Sequence, residues 1–305
     1  MYRLIKNIFF KYTNIKTFLV TRLQDSMIEE KVFLKVAGWE LDISSRHSMI
    51  CLEPFCIAVW MDKGLKGNYN SGNADVYFYK GKKLNASIGV SLMEEIIEGE
   101  TVVLLYKVIR VGNFQFNPVK CFMTLYYLLR NKTSTYAYRR TISALYSYPR
   151  KIIIVSYRDD NYCNVFPMDI QGFVKEGDLY VFGLRTTNKT LDAILKTGRV
   201  VVSDTANADL DTVYALGRHQ SASPPKLEDL PFGTVNSELF NFPVPEFSSS
   251  YKEIEIVHHR KLGYHMFMLG RIVNKKEQSP DGASLFHLGF LLSQQTSYTI
   301  LEGTF

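Results

Sequence analysis

Between Pro149-Arg150 and the polar turn Arg158-Asp159-Asp160-Asn161 lies Lys151-Ile152-Ile153-Ile154-Val155-Ser156, an almost unbroken β-branched apolar run. Stiff β-branched side chains favour extended backbone, and a strand without polar alternation must be covered on both faces. The run therefore predicts a buried strand within a layered β structure. The pattern continues downstream. Asn164-Val165-Phe166-Pro167-Met168-Asp169-Ile170, Leu179 to Leu184 and Arg199-Val200-Val201-Val202-Ser203 read as further strands, as do Glu253 to Val257 and Gly263 to Val273. Between the third and fourth of these segments, Arg185-Thr186-Thr187-Asn188-Lys189-Thr190 opens an amphipathic helix with Leu191, Ile194 and Leu195 on one face, and Gly198 ends it.

The 185–190 segment is the best anion site in the sequence. Hydroxyls, two cations and the free N–H groups of a helix start converge within one turn. An ordinary capped helix, with Thr and Asn satisfying backbone donors, uses the same residues. Both readings stay open on this segment alone.

Upstream, Lys31 to Val36, Ser48 to Trp60, Asp75 to Tyr79 and Thr101 to Ile109 read as strands, with Lys63 to Asn73 as the most loop-like stretch. Glu94, Glu95, Glu98 and Glu100 form an acidic cluster expected around a helix end, as a solvated turn. Helices are expected over about 118–129 and 135–146, the first with Asn117-Pro118 as cap and first-turn proline. The chain thus divides into residues 1–26, a strand-rich domain over 27–144 with no chemistry legible in it, and a second domain over 145–305. A length of 305 residues fits two such units. The fold class is mainly β with helices, α+β.

In residues 1–26, apolar side chains at Leu4, Ile5, Ile8, Tyr12, Ile15, Leu19 and Leu23 have helical spacing with five cations interleaved. A basic amphipathic helix is expected there, or a start of translation at Met27. Lys11 and Lys16 interrupt what a secretory signal would keep apolar.

Charge is uneven. Residues 1–144 carry 20 Lys+Arg against 12 Asp+Glu, and residues 145–305 carry 16 against 18. No dense basic cluster with stacking aromatics accompanies the excess, so nucleic acid is not expected as a partner. No apolar run approaches the roughly 20 residues of a membrane-spanning helix. Cys51, Cys56, Cys121 and Cys163 make no CxxC or zinc-type spacing; reduced, buried thiols in a cytoplasmic protein are expected, with no metal site. His258-His259 are adjacent and on a strand would face opposite sides. No GxGxxG loop is present.

The order of features over about 145–295 resembles the flavin reductase-like family. These features are Pro before a β-branched strand, an acidic turn, an Asn-containing strand, the Thr/Asn/Lys/Thr helix start and the Gly198-Arg199-Val200-Val201-Val202 strand. Gly217-Arg218-His219 and Gly263-Tyr264-His265 extend the likeness. The resemblance implies an FMN-binding split β-barrel, a homodimer with flavin near the interface, and hydride transfer from NAD(P)H to the flavin and on to a small-molecule acceptor. On it, Arg185, Thr186, Thr187, Asn188, Lys189 and Thr190 would hold the FMN phosphate. Asn164, Val165, Phe166, Pro167 and Met168 would line the ring, and His265 would sit beside it as the catalytic candidate. The sequence departs from the family pattern at Pro167, Asp169 and Tyr264, and in having Val174 to Asp178 where Pro-Pro is usual. A non-catalytic flavin-binding or interaction protein on the same scaffold is the alternative. The Pro-, Ser- and Phe-rich stretch 221–250 is expected to be a long ordered excursion, and the resemblance implies that it covers the site.

Overall fold

The computed structural model describes residues 10–11, 16–68, 72–115, 135–277 and 282–302. In chain order the front part comprises β1 (Phe18–Leu23), β2 (Glu30–Val36), β3 (Trp39–Asp42), β4 (His47–Leu52), β5 (Phe55–Asp62), β6 (Asn73–Lys80), β7 (Lys83–Glu98), β8 (Thr101–Asn113) and α1 (Tyr136–Leu145). Strands β2 to β8 form one antiparallel sheet in the order β3-β2-β6-β7-β8-β5-β4. One face carries a core of Val32, Leu34, Val59, Val76, Ile88 and Tyr106, onto which α1 packs Ile142 and Leu145. Thr135 caps α1 by accepting from the Tyr138 N–H. The helix expected over 118–129 lies outside the described residues.

Two expectations are corrected here. The acidic cluster is no helix end: Glu94, Glu95 and Glu98 belong to the 16-residue strand β7. Their carboxylates are tied to the other half of the chain, Glu94 to Arg260 and Glu98 to Arg271, so opposite charges across a sheet contact replaced the solvated turn. Nor is 18–23 helical. It is a strand with Val20, Thr21 and Leu23 buried, and its Leu19 and Leu23 satisfied a helical period only by coincidence. Residues 1–9 and 12–15 lie outside the described residues. Of the loop-like stretch, Lys63–Asn68 forms a short 3-10 helix.

The second half comprises β9 (Arg150–Lys151), β10 (Ile153–Arg158), β11 (Cys163–Met168), β12 (Gln171–Val174), β13 (Leu179–Arg185), α2 (Lys189–Thr197), β14 (Arg199–Ser203), α3 (Leu210–Leu216), β15 (Thr234–Asn236), β16 (Pro243–Pro245), β17 (Ser250–Leu262), β18 (His265–Glu277), β19 (Ser284–Gly289), α4 (Phe290–Ser293) and β20 (Ile300–Leu301). Its main sheet is antiparallel in the order β11-β10-β14-β17-β18-β13-β12. Strands β11 and β12 are thus the two edges of the sheet, yet only Asp169 and Ile170 separate them in sequence. Two residues and their flanking bonds reach about 10 Å at most. The sheet therefore curls until its edges nearly meet, giving a barrel with an open seam, and no β11–β12 pairing closes it among the described residues. The barrel is filled by Val155, Phe182, Ile194, Val201, Ile254 and Met268.

The two sheets share a third apolar cluster, with Ile50, Cys56, Trp60 and Leu105 from the front and Val181, Phe267 and Leu269 from the back. Contact is close. A Cβ on Gly183 would lie 2.0 Å from the Ile50 carbonyl oxygen, so only glycine allows β13 this near β4. A smaller sheet, β20-β1-β19-β9, joins the early strand β1 to the last strands, in register from Phe18↔Gly289 to Leu23↔Ser284. The excursion 221–250 carries only the β15–β16 pair and a 3-10 turn. Its middle is pinned by fully buried Glu253, which accepts from the Leu239 and Phe240 N–H groups and from Asn274.

Candidate functional site

A cleft of about 750 Å³ opens along the seam. That volume is in the usual range of small-molecule sites. Its floor is the outer edge of β11, which pairs only with β10 among the described residues and so leaves the backbone groups of its other side available. Pro167, which has no N–H to give, is tolerated on such an edge. From Asn164 to Asp169 the strand direction spans about 17 Å at about 3.3 Å per residue, and the cleft has different chemistry at its two ends.

At one end stands the start of α2. Arg185, Thr187 and Asn188 line the cleft there, with Arg218, His219 and Ser221 opposite. Their proximity follows from local structure: β13 ends at Arg185, Asn188 caps α2, and Gly198 closes it in the left-handed conformation at φ 69°. The first helical N–H groups are largely engaged. Lys189 N–H donates to Ser221 Oγ at 3.0 Å, Thr190 N–H to Asn188 Oδ1 at 3.0 Å, and Leu191 N–H to the Asn188 carbonyl at 3.0 Å. An anion at this end is therefore met by side chains, Arg185 foremost, and by the helix dipole.

Thr190 has a different place from the one its spacing suggested. It is fully buried, and its hydroxyl accepts from Asn164 Nδ2 at 2.8 Å and meets the Tyr162 hydroxyl at 2.8 Å. Tyr162 in turn donates to the Ser221 carbonyl at 2.7 Å, so the Thr190 proton points to Tyr162. Asn164 Oδ1 is held by His219 Nε2 at 2.7 Å. Burial lowers the His219 pKa, against the nearby Leu216 carbonyl, so the neutral ring carries its proton on Nε2 and leaves Nδ1 as an acceptor. Thr186 and Lys189 lie outside the cleft lining; the Thr186 N–H donates to the Tyr264 carbonyl. Val165 turns into the apolar cluster with Ile154, Val213 and Leu216. Asn164, Phe166, Pro167 and Met168 do line the cleft.

His265 is also in the lining and is almost fully buried. Its Nδ1 lies 3.6 Å from Cys51 Sγ, while its Nε2 has no hydrogen-bond partner among the described residues. Cys51 and Cys56 face each other across the β4–β5 hairpin as free thiols. The Cys56 thiol, followed by His265, pulls the Cys51 pKa down, whereas Cys56 itself is pushed up.

The other end holds groups that sequence reading did not assemble. Asp169 Oδ2 meets His287 Nδ1 at 2.7 Å and accepts from the Tyr146 hydroxyl at 2.6 Å. His287 Nε2 lies 3.3 Å from the Tyr214 hydroxyl, and the Phe18 ring covers the imidazole at 4.1 Å. Burial raises the Asp169 pKa, but His287 and Tyr146 outweigh it and the net shift is downward. The partners of Asp169 come from β19 and the residue after α1, and those of His287 also from β1 and α3. No group of three or more His, Cys, Asp or Glu suited to a metal occurs among the described residues.

The cleft fits a flat, phosphate-bearing organic cofactor. It has cations and a helix start at one end, an open strand edge with Phe166 and Met168 along its length, and an orphaned buried nitrogen, His265 Nε2, in its wall. No protein-family model and no curated protein matches the chain. Among solved structures, an FMN-binding protein from Thermus thermophilus is 21% identical with a TM-score of 0.42, over 52% of this chain and 90% of that one. Flavoredoxin from Methanosarcina acetivorans is 14% identical at 0.41, over 51% and 86%. An NADH:FAD oxidoreductase from Streptomyces globisporus is 11% identical at 0.44, over 54% and 93%. Likeness at this level assigns no residue a role.

Proposed function

We propose that the seam cleft binds FMN and that the protein is a flavin-dependent oxidoreductase. The observation that carries the reading is the pairing, in one cleft of about 750 Å³, of a cationic helix start with an open strand edge and the unpartnered His265 Nε2. Arg185, Thr187 and Asn188 would hold the phosphate. Asn164, Phe166, Pro167 and Met168 would lie against the ring, with His265 Nε2 within reach of a polar atom of it. Bound flavin would supply the hydride chemistry. The chain's own part is to orient: Phe166 and Met168 would lie against the ring, and the Asn164–Thr190–Tyr162 network holds the Asn164 end of β11 in place. Leu52, Ile170 and Leu184 keep water from the inner wall.

NAD(P)H as electron source and pairing of two copies belong to the same reading. Titration with FMN and riboflavin tests it. Wild type should bind FMN, and Arg185→Ala should weaken FMN by about tenfold while leaving riboflavin unchanged, since only FMN carries the anion. Equal loss for both ligands, or no flavin binding, would refute the assignment. Bleaching of the bound flavin by NADPH or NADH then separates an enzyme from a binding protein; analytical ultracentrifugation reads the pairing.

A further inference from the structure

We propose that Asp169, His287 and Tyr214 form a proton-delivery chain at the end of the cleft opposite α2, serving an organic acceptor whose carbonyl or quinone oxygen is protonated as it is reduced. The three residues come from separate elements, the β11–β12 crossover, β19 and α3, and all three line the cleft. Asp169 is 14% exposed and is fixed as a carboxylate by two donors, His287 Nδ1 and the Tyr146 hydroxyl. That holds the imidazole with Nδ1 towards Asp169 and Nε2 towards Tyr214, 3.3 Å away. Burial, with some help from Asp169, pushes the Tyr214 pKa up to about 12, so the phenol keeps its proton at neutral pH. Phe18 and Tyr146 supply aromatic surface beside the imidazole, suited to a flat conjugated ligand.

On the reading above, bound flavin would supply the hydride for the acceptor's new C–H bond, and the C=O π pair moves to oxygen. That oxygen takes the Tyr214 proton. A solvent proton passed on by His287 Nε2 then restores the Tyr214 hydroxyl, while Nδ1 stays on Asp169. Net, the acceptor gains one hydride and one proton. Tyr214 is the catalytic residue; His287 acts through it, and Asp169 and Tyr146 are positioning residues.

The flavin reading supplies the hydride, but the donor pair can be tested without it. The charged and titratable groups around His287 are Asp169, Tyr146 and Tyr214, with Arg150 over the Tyr146 ring at 5.5 Å and Arg139 in the cleft wall. The probe is 4-nitrophenol, titrated into wild type, Tyr214→Phe, His287→Asn and Asp169→Asn, with and without FMN, near neutral pH. Wild type should bind it and raise the fraction in the yellow phenolate form, because the Tyr214 hydroxyl, backed by His287, donates to its oxygen. Tyr214→Phe and His287→Asn should each weaken binding by about tenfold and abolish the colour change. Asp169→Asn should lose the colour change with a smaller loss of affinity. Circular dichroism and the urea midpoint should stay at wild-type values in Tyr214→Phe, which guards against misfolding. Unchanged probe binding in Tyr214→Phe and His287→Asn, or no binding by wild type, overturns the proposal. Expected probe behaviour in a protein that does not bind FMN would refute the flavin reading and leave the proton-delivery site standing.

Discussion

Replacing Thr190 with Val keeps the shape of the side chain and removes one hydroxyl from the centre of the site network. The hydroxyl makes two bonds, at 2.8 Å to Asn164 Nδ2 and 2.8 Å to the Tyr162 hydroxyl. A net hydrogen bond is worth about 1 kcal/mol, and a buried donor left without a partner costs about 1–3 kcal/mol. Asn164 keeps a 3.2 Å contact to Tyr162, and Tyr162 keeps the Ser221 carbonyl, so neither partner is wholly orphaned. The expected destabilisation is therefore about 2–3 kcal/mol for Thr190→Val. Thr190→Ser retains the hydroxyl and loses one buried methyl, about 1 kcal/mol. Urea denaturation of both variants, followed by tryptophan fluorescence and by circular dichroism, reads the difference. FMN affinity should fall in the Val variant, because Asn164 loses one of the anchors that orient it towards His219. A Val variant as stable as the Ser variant would show that the hydroxyl does not organise this wall.

Gly183→Ala places a methyl 2.0 Å from the Ile50 carbonyl, backbone against backbone, and should cost about 3 kcal/mol or leave the protein insoluble; melting temperature checks it. His47 is buried with Nδ1 on the Ile43 carbonyl, and burial lowers its pKa to about 3, so the unfolded chain takes up a proton below its ordinary 6.5 while the folded chain does not. Stability should fall by about 1.4 kcal/mol per pH unit from pH 6.5 towards 3, and His47→Gln should flatten that limb in urea melts at stepped pH. Deleting residues 1–26 should abolish folding. The deletion removes β1 from between β19 and β20, along with Arg22, whose guanidinium donates to the carbonyls of Thr205, Ala206, Ala208 and Ala283. Soluble expression of the 27–305 fragment with a wild-type circular dichroism spectrum would contradict this.

Local signals in the second half were legible because they are strong. The β-branched run, the Asn-capped start of α2 and the Gly198 stop each have one conformational solution, and the observed strand and helix bounds follow them within two or three residues. Glu94 to Glu98 failed for a specific reason. A run of carboxylates reads as solvated unless its counter-charges are known, and Arg260 and Arg271 lie more than 160 residues away. Thr190 is a different case. Residue type predicted a polar partner correctly, but a hydroxyl at a helix start can turn outward to a ligand or inward to Asn164, and only the packing of β11 against α2 decides which. His287 gave no signal, since its partner Asp169 is 118 residues upstream.

The seam explains why both ends of the cleft carry chemistry. A closed barrel would pair β11 with β12 and consume the edge groups; the two-residue crossover at Asp169-Ile170 instead holds the edges near each other without a ladder between them. Polar groups at such an opening need partners, and the chain supplies them from outside the barrel. The small sheet brings β1 and β19, with Phe18 and His287, against the crossover, and α1 brings Tyr146. The front sheet does the same for the inner wall, where Cys51 of β4 reaches His265 and Leu52 enters the lining. The first 144 residues therefore build the cleft together with the barrel, and an assay of the isolated barrel would measure a cleft lacking one wall.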